Sequence, residues 1–232
     1  REGNIGASRI IKMLELSDGH LVVSAKGIFS IENYLMARRL MYWQVYLHKT
    51  AVAAEVLLRS LLSRAKWLAR QGTELFCSPA LRFFLYKDIK PNDFIASSEA
   101  LGHYTKLDDS DLLCAIKVWQ TSSDKILSLL AHGFTNRHLF KVEIHNEAIS
   151  EEHIEKTRQR IVNRLGITFD EASYFYGTKK VAKEMYSSTA EGIGMLYPDG
   201  MIQDISQVSH IIHNDTVESG DYKYYFFTLR DE

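Results

Sequence analysis

Proline is scarce in this sequence: there are three in 232 residues, and none lies between Ile31 and Gln71. That stretch is rich in Ala, Leu, Arg and Met, which favour an α-helix. We therefore predict one long helix over residues 31–71, with Ser30 as its N-cap. Because such a helix would be far longer than average, we also expect a kink or break near Lys49 and Thr50.

Cysteine is also rare, and long apolar runs are absent. Cys77 and Cys114 cannot form a CxxC metal knuckle, and we expect two buried or half-buried thiols, as in a cytoplasmic protein, in preference to a single disulfide. No apolar run approaches the roughly 20 residues that a membrane span requires. The sequence begins at Arg1 without an initiator Met or a secretory leader, so we expect it to be part of a longer cytoplasmic chain.

The formal net charge is only −1, which argues against a general nucleic-acid-binding protein. The charge is unevenly distributed, however. Residues 1–72 contain 11 Lys and Arg against 5 Asp and Glu, whereas residues 73–232 contain 17 against 24. The basic N-terminal part favours a phosphate-bearing ligand or an acidic partner. On charge alone, solvated helix faces that are rich in arginine explain it equally well.

Hydrophobic periodicity predicts a mainly α protein in two parts. A helical region over residues 1–135 is followed by a smaller α+β domain over residues 136–232. Besides the long helix, helices are predicted over 8–16, 79–86, 97–107, 109–120, 124–133 and 151–165, and strands over 21–23, 139–144, 172–176, 193–197 and 222–229.

A stripe of aromatic and basic side chains lies in the long helix. Tyr34, Arg38, Tyr42 and Tyr46 recur every four residues, which places them on one face. Arginine offers a planar fork of donors to a phosphate, and tyrosine rings pack on a sugar or base. The adjacent pair 48–49 (His-Lys) adds positive charge one turn further on. The pattern alone fits either a phosphate-ligand site or a half-buried aromatic helix face.

These residues also resemble a known family. The run Ile31-Glu32-Asn33-Tyr34, followed by Arg38, Tyr42, Tyr46 and His48-Lys49, resembles the segment after the His-Asp motif in HD-superfamily phosphohydrolases, in particular the dNTP triphosphohydrolases. That group includes bacterial dGTPase-like enzymes and the vertebrate sterile-alpha-motif/HD enzyme. The runs 4–12 and 137–141 occur in the expected order, so the resemblance covers most of residues 1–145. The remainder resembles only a bacterial HD branch of unassigned role.

The resemblance implies roles for individual residues. Arg38 would contact substrate phosphates, Tyr46 would pack beside the deoxyribose, and Tyr42 would face the substrate at a position where some relatives carry a histidine. In regulated relatives an activating nucleotide binds between subunits of a homo-oligomer. The positions that correspond to that regulatory nucleotide site are Arg9, Lys26, His48, Lys49, Arg137 and Lys141.

The metal centre of the family is missing from this sequence. It needs two histidines and two aspartates, including an adjacent His-Asp pair, and none of the nine histidines here is followed by Asp. The divalent metal that the resemblance implies would therefore be bound by residues outside this chain. We predict no catalytic and no metal-binding residue within it.

The resemblance thus predicts the C-terminal part of a metal-dependent HD phosphohydrolase, which hydrolyses deoxynucleoside triphosphates such as dGTP to nucleoside and triphosphate. The alternative is a non-catalytic nucleotide-sensing or oligomerisation module without a metal site. A third hypothesis takes the aromatic cluster at Tyr222 and 224–227 as a stacking platform for RNA or protein. Neighbouring residues of a strand point to opposite faces, so part of that cluster must be core.

Overall fold

The structure is a computed structural model that describes residues 5–96, 98–182, 192–212 and 222–230. Helices dominate, and shorter strands form two sheets, which confirms a mainly α fold with a smaller α+β part. Contacts group the chain into two compact units. The first takes the described residues within 1–51, 144–148 and 180–224, and the second those within 52–143, 149–179 and 225–232. The domain boundary at residues 135 and 136 stays a prediction.

The first unit contains a four-stranded sheet in the order β1 (Leu14–Ser17), β2 (His20–Ser24), β5 (Gly194–Leu196) and β6 (Ile202–Asp204). Strands β1 and β2 form an antiparallel hairpin in which Ser17 is opposite His20. Asp18 and Gly19 make the turn with φ values of 50° and 78°, the left-handed pair that a tight hairpin turn prefers. Strand β5 pairs parallel with β2 and antiparallel with β6.

The first predicted helix is shorter than expected. Helix α1 spans Ala7–Lys12, and Leu14–Ser17 forms β1 instead of a last helical turn. The pattern of apolar residues in 8–16 is compatible with both structures. This segment forms a strand because it pairs with His20–Ser24. The pairing gives hydrogen-bond partners to backbone groups that would lack them at the end of an isolated helix.

The long predicted helix is divided into two. Helix α2 spans Ile28–Met41, a π-helical turn covers Tyr42–Tyr46, and α3 spans Lys49–Arg70. The expected break near Lys49 is confirmed. Ser30 lies inside α2 and not at its N-cap, because the short 3₁₀ turn Ala25–Gly27 leads directly into the helix.

The second unit is built around α3 and the helices that follow it. Ser78 caps α4 (Pro79–Tyr86) by accepting a hydrogen bond from the Leu81 N–H, and Ser150 caps α9 (Glu151–Leu165) by accepting one from the His153 N–H. Trp119 is fully buried and donates its indole N–H to the Phe76 carbonyl at 3.0 Å. The helices are α4 (Pro79–Tyr86), α5 (Pro91–Ala96), α6 (Ser98–Tyr104), α7 (Asp109–Trp119), α8 (Lys125–Thr135), α9 (Glu151–Leu165), α10 (Phe169–Ala172) and, in the first unit, α11 (Ile205–Val208).

A three-stranded sheet has the order β3-β7-β4, with β3 at Lys141–His145, β4 at Tyr176–Ala182 and β7 at Tyr222–Thr228. The strand predicted over 172–176 is wrong. Thr168 and Glu171 form a capping box, so this segment is α10 followed by a 3₁₀ turn over Ser173–Phe175. None of the helices in the described ranges combines the length and the apolarity that crossing a membrane requires.

Candidate functional site on helix α2 and the π-helical turn

One side of α2 is buried in the core of the first unit. Ile31 and Leu35 belong to an apolar cluster that also contains Val23, Met195 and Ile205. The burial of this side leaves Arg38 on the exposed side of the helix. Tyr34, the first residue of the predicted stripe, is half-buried and packs against the cluster. It therefore stabilises the position of α2 and presents little surface to a ligand.

Arg38, Tyr42 and Tyr46 form a continuous array along the exposed face. The guanidinium carbon of Arg38 lies 5.8 Å from the centre of the Tyr42 ring. The Tyr42 and Tyr46 rings are 5.3 Å apart between centroids and tilted by 47°. Tyr42 is 48% exposed and Tyr46 61% exposed, so both rings present area to a ligand. The four-residue spacing correctly predicts that these three side chains lie together.

The array ends in the π-helical turn. The Leu47 N–H donates to the Tyr42 carbonyl at 2.7 Å, five residues back instead of the four of an α-helix. A single π-helical turn inside a helix is uncommon and frequent at functional sites. It changes the angular offset between Tyr42 and Tyr46, and it is followed by the break before α3.

His48 has a structural role at this break. Its ring Nδ1 accepts a hydrogen bond from the Thr50 N–H at 3.3 Å, which satisfies one of the open backbone donors at the start of α3. The accepting Nδ1 carries no proton, so a neutral His48 carries its proton on Nε2. Both His48 and Lys49 are exposed.

The six residues predicted for a regulatory nucleotide site are all exposed. Arg9 lies in the last turn of α1 and Lys26 in the 3₁₀ turn before α2, so with His48 and Lys49 they belong to the first unit. Arg137 and Lys141 belong to the second unit, where Lys141 forms an ion pair with Glu143 at 2.8 Å.

The donor chemistry of the described residues does not fit a metal centre. Nowhere in the described ranges do three or more His, Cys, Asp or Glu side chains come together as a metal site would require. The two cysteines are free thiols. Cys77 is half-buried as expected, whereas Cys114 is exposed, so its predicted burial is wrong. The divalent metal of an HD-type centre therefore has no ligand set among these residues.

The aromatic cluster of β7 is largely core. Tyr225, Phe226 and Phe227 are buried, which removes them from a surface platform. Tyr222 and Tyr224 are half-buried, and the Lys180 ammonium lies 3.6 Å from the Tyr222 ring centre.

Sequence reasoning missed a polar contact that supports α2. The Ser209 hydroxyl donates to the buried Glu32 carboxylate at 2.6 Å, while its oxygen accepts hydrogen bonds from the N–H groups of Ile211 and Ile212. A glutamate between apolar positions of a helix is a signal of burial, but its partner is 177 residues away. Local patterns carry no information on such a pair.

Comparisons with known proteins cover this site. Residues 5–74 match the family model described as HD associated region, which includes α2, the π-helical turn and all of α3. The chain is 28% identical over 220 residues to the protein YwfO of Bacillus subtilis, described as uncharacterized.

Two solved structures are similar to the chain. A phosphohydrolase from Bacteroides thetaiotaomicron has 48% sequence identity and a TM-score of 0.87 over the whole chain. A hypothetical protein from Aquifex aeolicus, at 20% identity and a TM-score of 0.55, shares the fold over 98% of the chain. The chain spans about half the length of these relatives: 48% of the Bacillus protein, 57% of the Bacteroides protein and 49% of the Aquifex protein. The HD-associated match and the phosphohydrolase likeness together support an HD-type hydrolase.

Proposed function

We propose that this chain is the substrate-positioning part of an HD-type phosphohydrolase that cleaves deoxynucleoside triphosphates to nucleoside and triphosphate. The observation that carries the proposal is the exposed array of Arg38, Tyr42 and Tyr46, which lies within the segment that matches the HD-associated region. Residues outside this chain would hold the divalent metal, which would supply activation of the attacking water.

Each residue of the array has a distinct task in this proposal. The Arg38 guanidinium binds phosphate oxygens through its fork of N–H donors, which fixes the triphosphate in one orientation. The exposed ring of Tyr46 packs beside the deoxyribose, and the Tyr42 ring next to it faces the substrate. The buried side of α2 keeps these groups in place, and precise placement of a reacting phosphate is a large part of phosphoryl-transfer catalysis.

The direct test is hydrolysis of dGTP by the complete protein with added Mg²⁺ or Mn²⁺, followed by ion-exchange separation of deoxyguanosine and triphosphate. Arg38→Ala should lower kcat/KM at least about 100-fold, because it removes a charge-assisted contact to a group that carries negative charge in the transition state. Its melting temperature should stay unchanged, since the side chain is exposed.

Arg39→Ala is the matched control. It removes the same charge from the next position of α2, about 100° around the helix, and should retain most of the activity. Equal losses in both variants would point to a general charge effect. A fully active Arg38→Ala variant would exclude this site, and absence of triphosphate release by the metal-loaded wild-type protein would leave the non-catalytic nucleotide-binding module as the better explanation.

A further inference from the structure

A C-terminal segment of the first unit packs behind α2. Its described part, residues 192–212, contains β5, β6 and α11. Met195 and Ile205 from this segment are buried in the same apolar cluster as Ile31 and Leu35 of α2. The helix that carries the proposed substrate array is therefore supported by a segment that is distant in the sequence.

Glu32 is a buried carboxylate on the supported side of α2. Its side chain lies next to the apolar cluster, and the residue is only 5% exposed. Within the described ranges, its hydrogen bond comes from the Ser209 hydroxyl, which donates to Glu32 Oε1 at 2.6 Å. Burial of a carboxylate costs free energy that burial of an apolar side chain would not. Stability alone therefore does not explain a glutamate at this position.

The Ser209 hydroxyl has a fixed direction. Its oxygen accepts hydrogen bonds from the N–H groups of Ile211 at 3.1 Å and Ile212 at 2.9 Å, so both of its acceptor sites are used. The Ser209 N–H donates to the Ile205 carbonyl at the end of α11. Because its own segment holds the hydroxyl in this way, the single proton that it donates defines where the Glu32 carboxylate lies.

This hydrogen bond fixes the rotation of α2 about its axis. Apolar contacts are non-directional and tolerate a small rotation, whereas a hydrogen bond weakens steeply as its angle becomes bent. Helix α2 is continuous over Ile28–Met41, so a rotation at Glu32 also occurs at Arg38. Side chains extend to about 5–6 Å from a helix axis, and a rotation of about 10° therefore displaces them by about 1 Å.

We propose that Glu32 and Ser209 are positioning residues for the Arg38 array, and that the C-terminal segment thereby forms part of the substrate site. Both residues are buried, so they act through α2 and not by contact with a substrate. A displacement of about 1 Å can lower the rate of a reaction that depends on positioning by about 100-fold. The effect on catalysis rests on the proposed function, but the orientation of α2 can be measured without a substrate.

The kinetic test compares Glu32→Gln with Glu32→Met in the complete protein. Glutamine keeps an oxygen that accepts the Ser209 proton, so kcat for dGTP should stay within about threefold of the wild-type value. Methionine fills the space without an acceptor and should lower kcat at least about tenfold. Its melting temperature should change little, because an apolar side chain replaces a buried carboxylate. Equal kcat values for the two variants would overturn the proposal.

Ser206→Ala is the matched control for Ser209→Ala. Both serines are buried in the same segment, but the Ser206 hydroxyl donates to Asp204 within that segment and not to α2. Both variants should melt at a lower temperature, because each loses a buried hydrogen bond. Below the melting transition only Ser209→Ala should lose activity. Equal losses of activity in the two variants would show that the Ser209 contact supports folding alone.

Spin labels measure the orientation of the array directly. The labels are placed at Tyr46→Cys and Leu16→Cys in a Cys77→Ser/Cys114→Ser background. Leu16 is 77% exposed, and both labelled sites lie in the first unit. Electron–electron double resonance should give the same narrow distance distribution for the wild type and Glu32→Gln. For Glu32→Met it should give a broader one, or one that is shifted by about 1 Å or more.

The spin-label result distinguishes this inference from the proposed function. An unchanged distance distribution in Glu32→Met would overturn the positioning role, whatever the rate of dGTP hydrolysis. A distribution that changes as expected, in a protein whose wild type releases no triphosphate from dGTP, would support the positioning role and contradict the proposed function.

Discussion

The Arg64 guanidinium holds the Asp124 carboxylate by two hydrogen bonds, from Nε to Oδ1 at 3.1 Å and from Nη2 to Oδ2 at 2.6 Å. The Arg64 side chain is only 7% exposed, so the pair is largely shielded from water. Asp124 also caps α8 by accepting the Leu127 N–H at 2.7 Å. One carboxylate therefore joins the middle of α3 to the start of α8. The Trp67 ring, 4.5 Å from the guanidinium carbon, covers the cation.

Replacement of Arg64 by methionine should be strongly destabilising. The variant leaves the Asp124 carboxylate without its cation in a poorly hydrated place, and removal of one partner of a buried pair costs about 3–5 kcal/mol. Urea denaturation followed by circular dichroism measures this loss as a lower midpoint at an unchanged slope.

Arg59→Met is the matched control on the same helix. Arg59 is 70% exposed and pairs with Glu55 at 2.9 Å, the geometry of an ordinary surface ion pair. Its loss should cost no more than about 0.5 kcal/mol. Similar costs for the two variants would contradict the structural role given to Arg64.

The same pair predicts how stability depends on pH. Burial alone would raise the pKa of Asp124, but hydrogen bonds from Arg64 and the Leu127 N–H outweigh it and lower the pKa below its usual value. The folded protein then binds fewer protons at this group than the unfolded chain does. The stabilisation is complete above the unfolded pKa of about 3.9 and is lost as the pH falls through the folded value.

Urea midpoints measured between pH 3 and pH 7 test this dependence. Asp124→Asn should be less stable at pH 7, and its stability should change less between pH 5 and pH 3 than that of the wild type. Glu171, whose pKa is lowered by hydrogen bonds from Thr168, supplies part of the remaining slope. Parallel curves for the two proteins would show that Asp124 does not contribute.

Capping residues predict where a helix begins or ends when no tertiary contact competes with them. The helices predicted over 79–86 and 151–165 are confirmed as α4 and α9, which begin after the caps Ser78 and Ser150, and α9 ends at Gly166. Residues 14–17 form a strand only because a partner strand lies beside them. Pro91 lies in the first turn of α5, where its missing N–H costs no helical hydrogen bond. Propensity cannot choose between such alternatives without tertiary contacts.

The candidate site likewise combines features that the sequence predicts with features that only the fold determines. The four-residue spacing places Arg38, Tyr42 and Tyr46 together because all three lie on one helix. The π-helical turn depends on a shift of one backbone hydrogen bond, for which the sequence offers no marker.

Alanine substitutions at two glycines test the cost of a left-handed backbone separately from the effect of side-chain packing. Gly166 ends α9 with φ at 59°, and an added Cβ would meet no atom within 4 Å. Gly166→Ala should therefore cost about 1 kcal/mol purely through its left-handed conformation. Gly102 lies in α6 with equally open space and ordinary helical backbone, so Gly102→Ala should gain about 0.5–1 kcal/mol. Thermal unfolding of both variants should show shifts of opposite sign, and shifts of the same sign would contradict the explanation.

The π-helical turn should be removable by deletion of one residue. Val45 is 50% exposed, so its deletion removes no core side chain. The hydrogen bond from the Leu47 N–H to the Tyr42 carbonyl would then span four residues and continue a regular α-helix. The melting temperature should stay the same or rise, since α-helical hydrogen bonds replace a rare geometry.

The deletion should nevertheless abolish most of the proposed activity. Tyr46 would follow Tyr42 by three residues instead of four, so its ring would stay on the same face of the helix but be displaced within the array. A displaced positioning group can lower the rate on the order of 100-fold. Val45→Ala keeps the turn and should keep the rate of dGTP hydrolysis, as measured by triphosphate release from the complete protein. If the deletion variant were as active as Val45→Ala, the π-helical turn would be a tolerated irregularity, and the orientation of Tyr46 would carry no function.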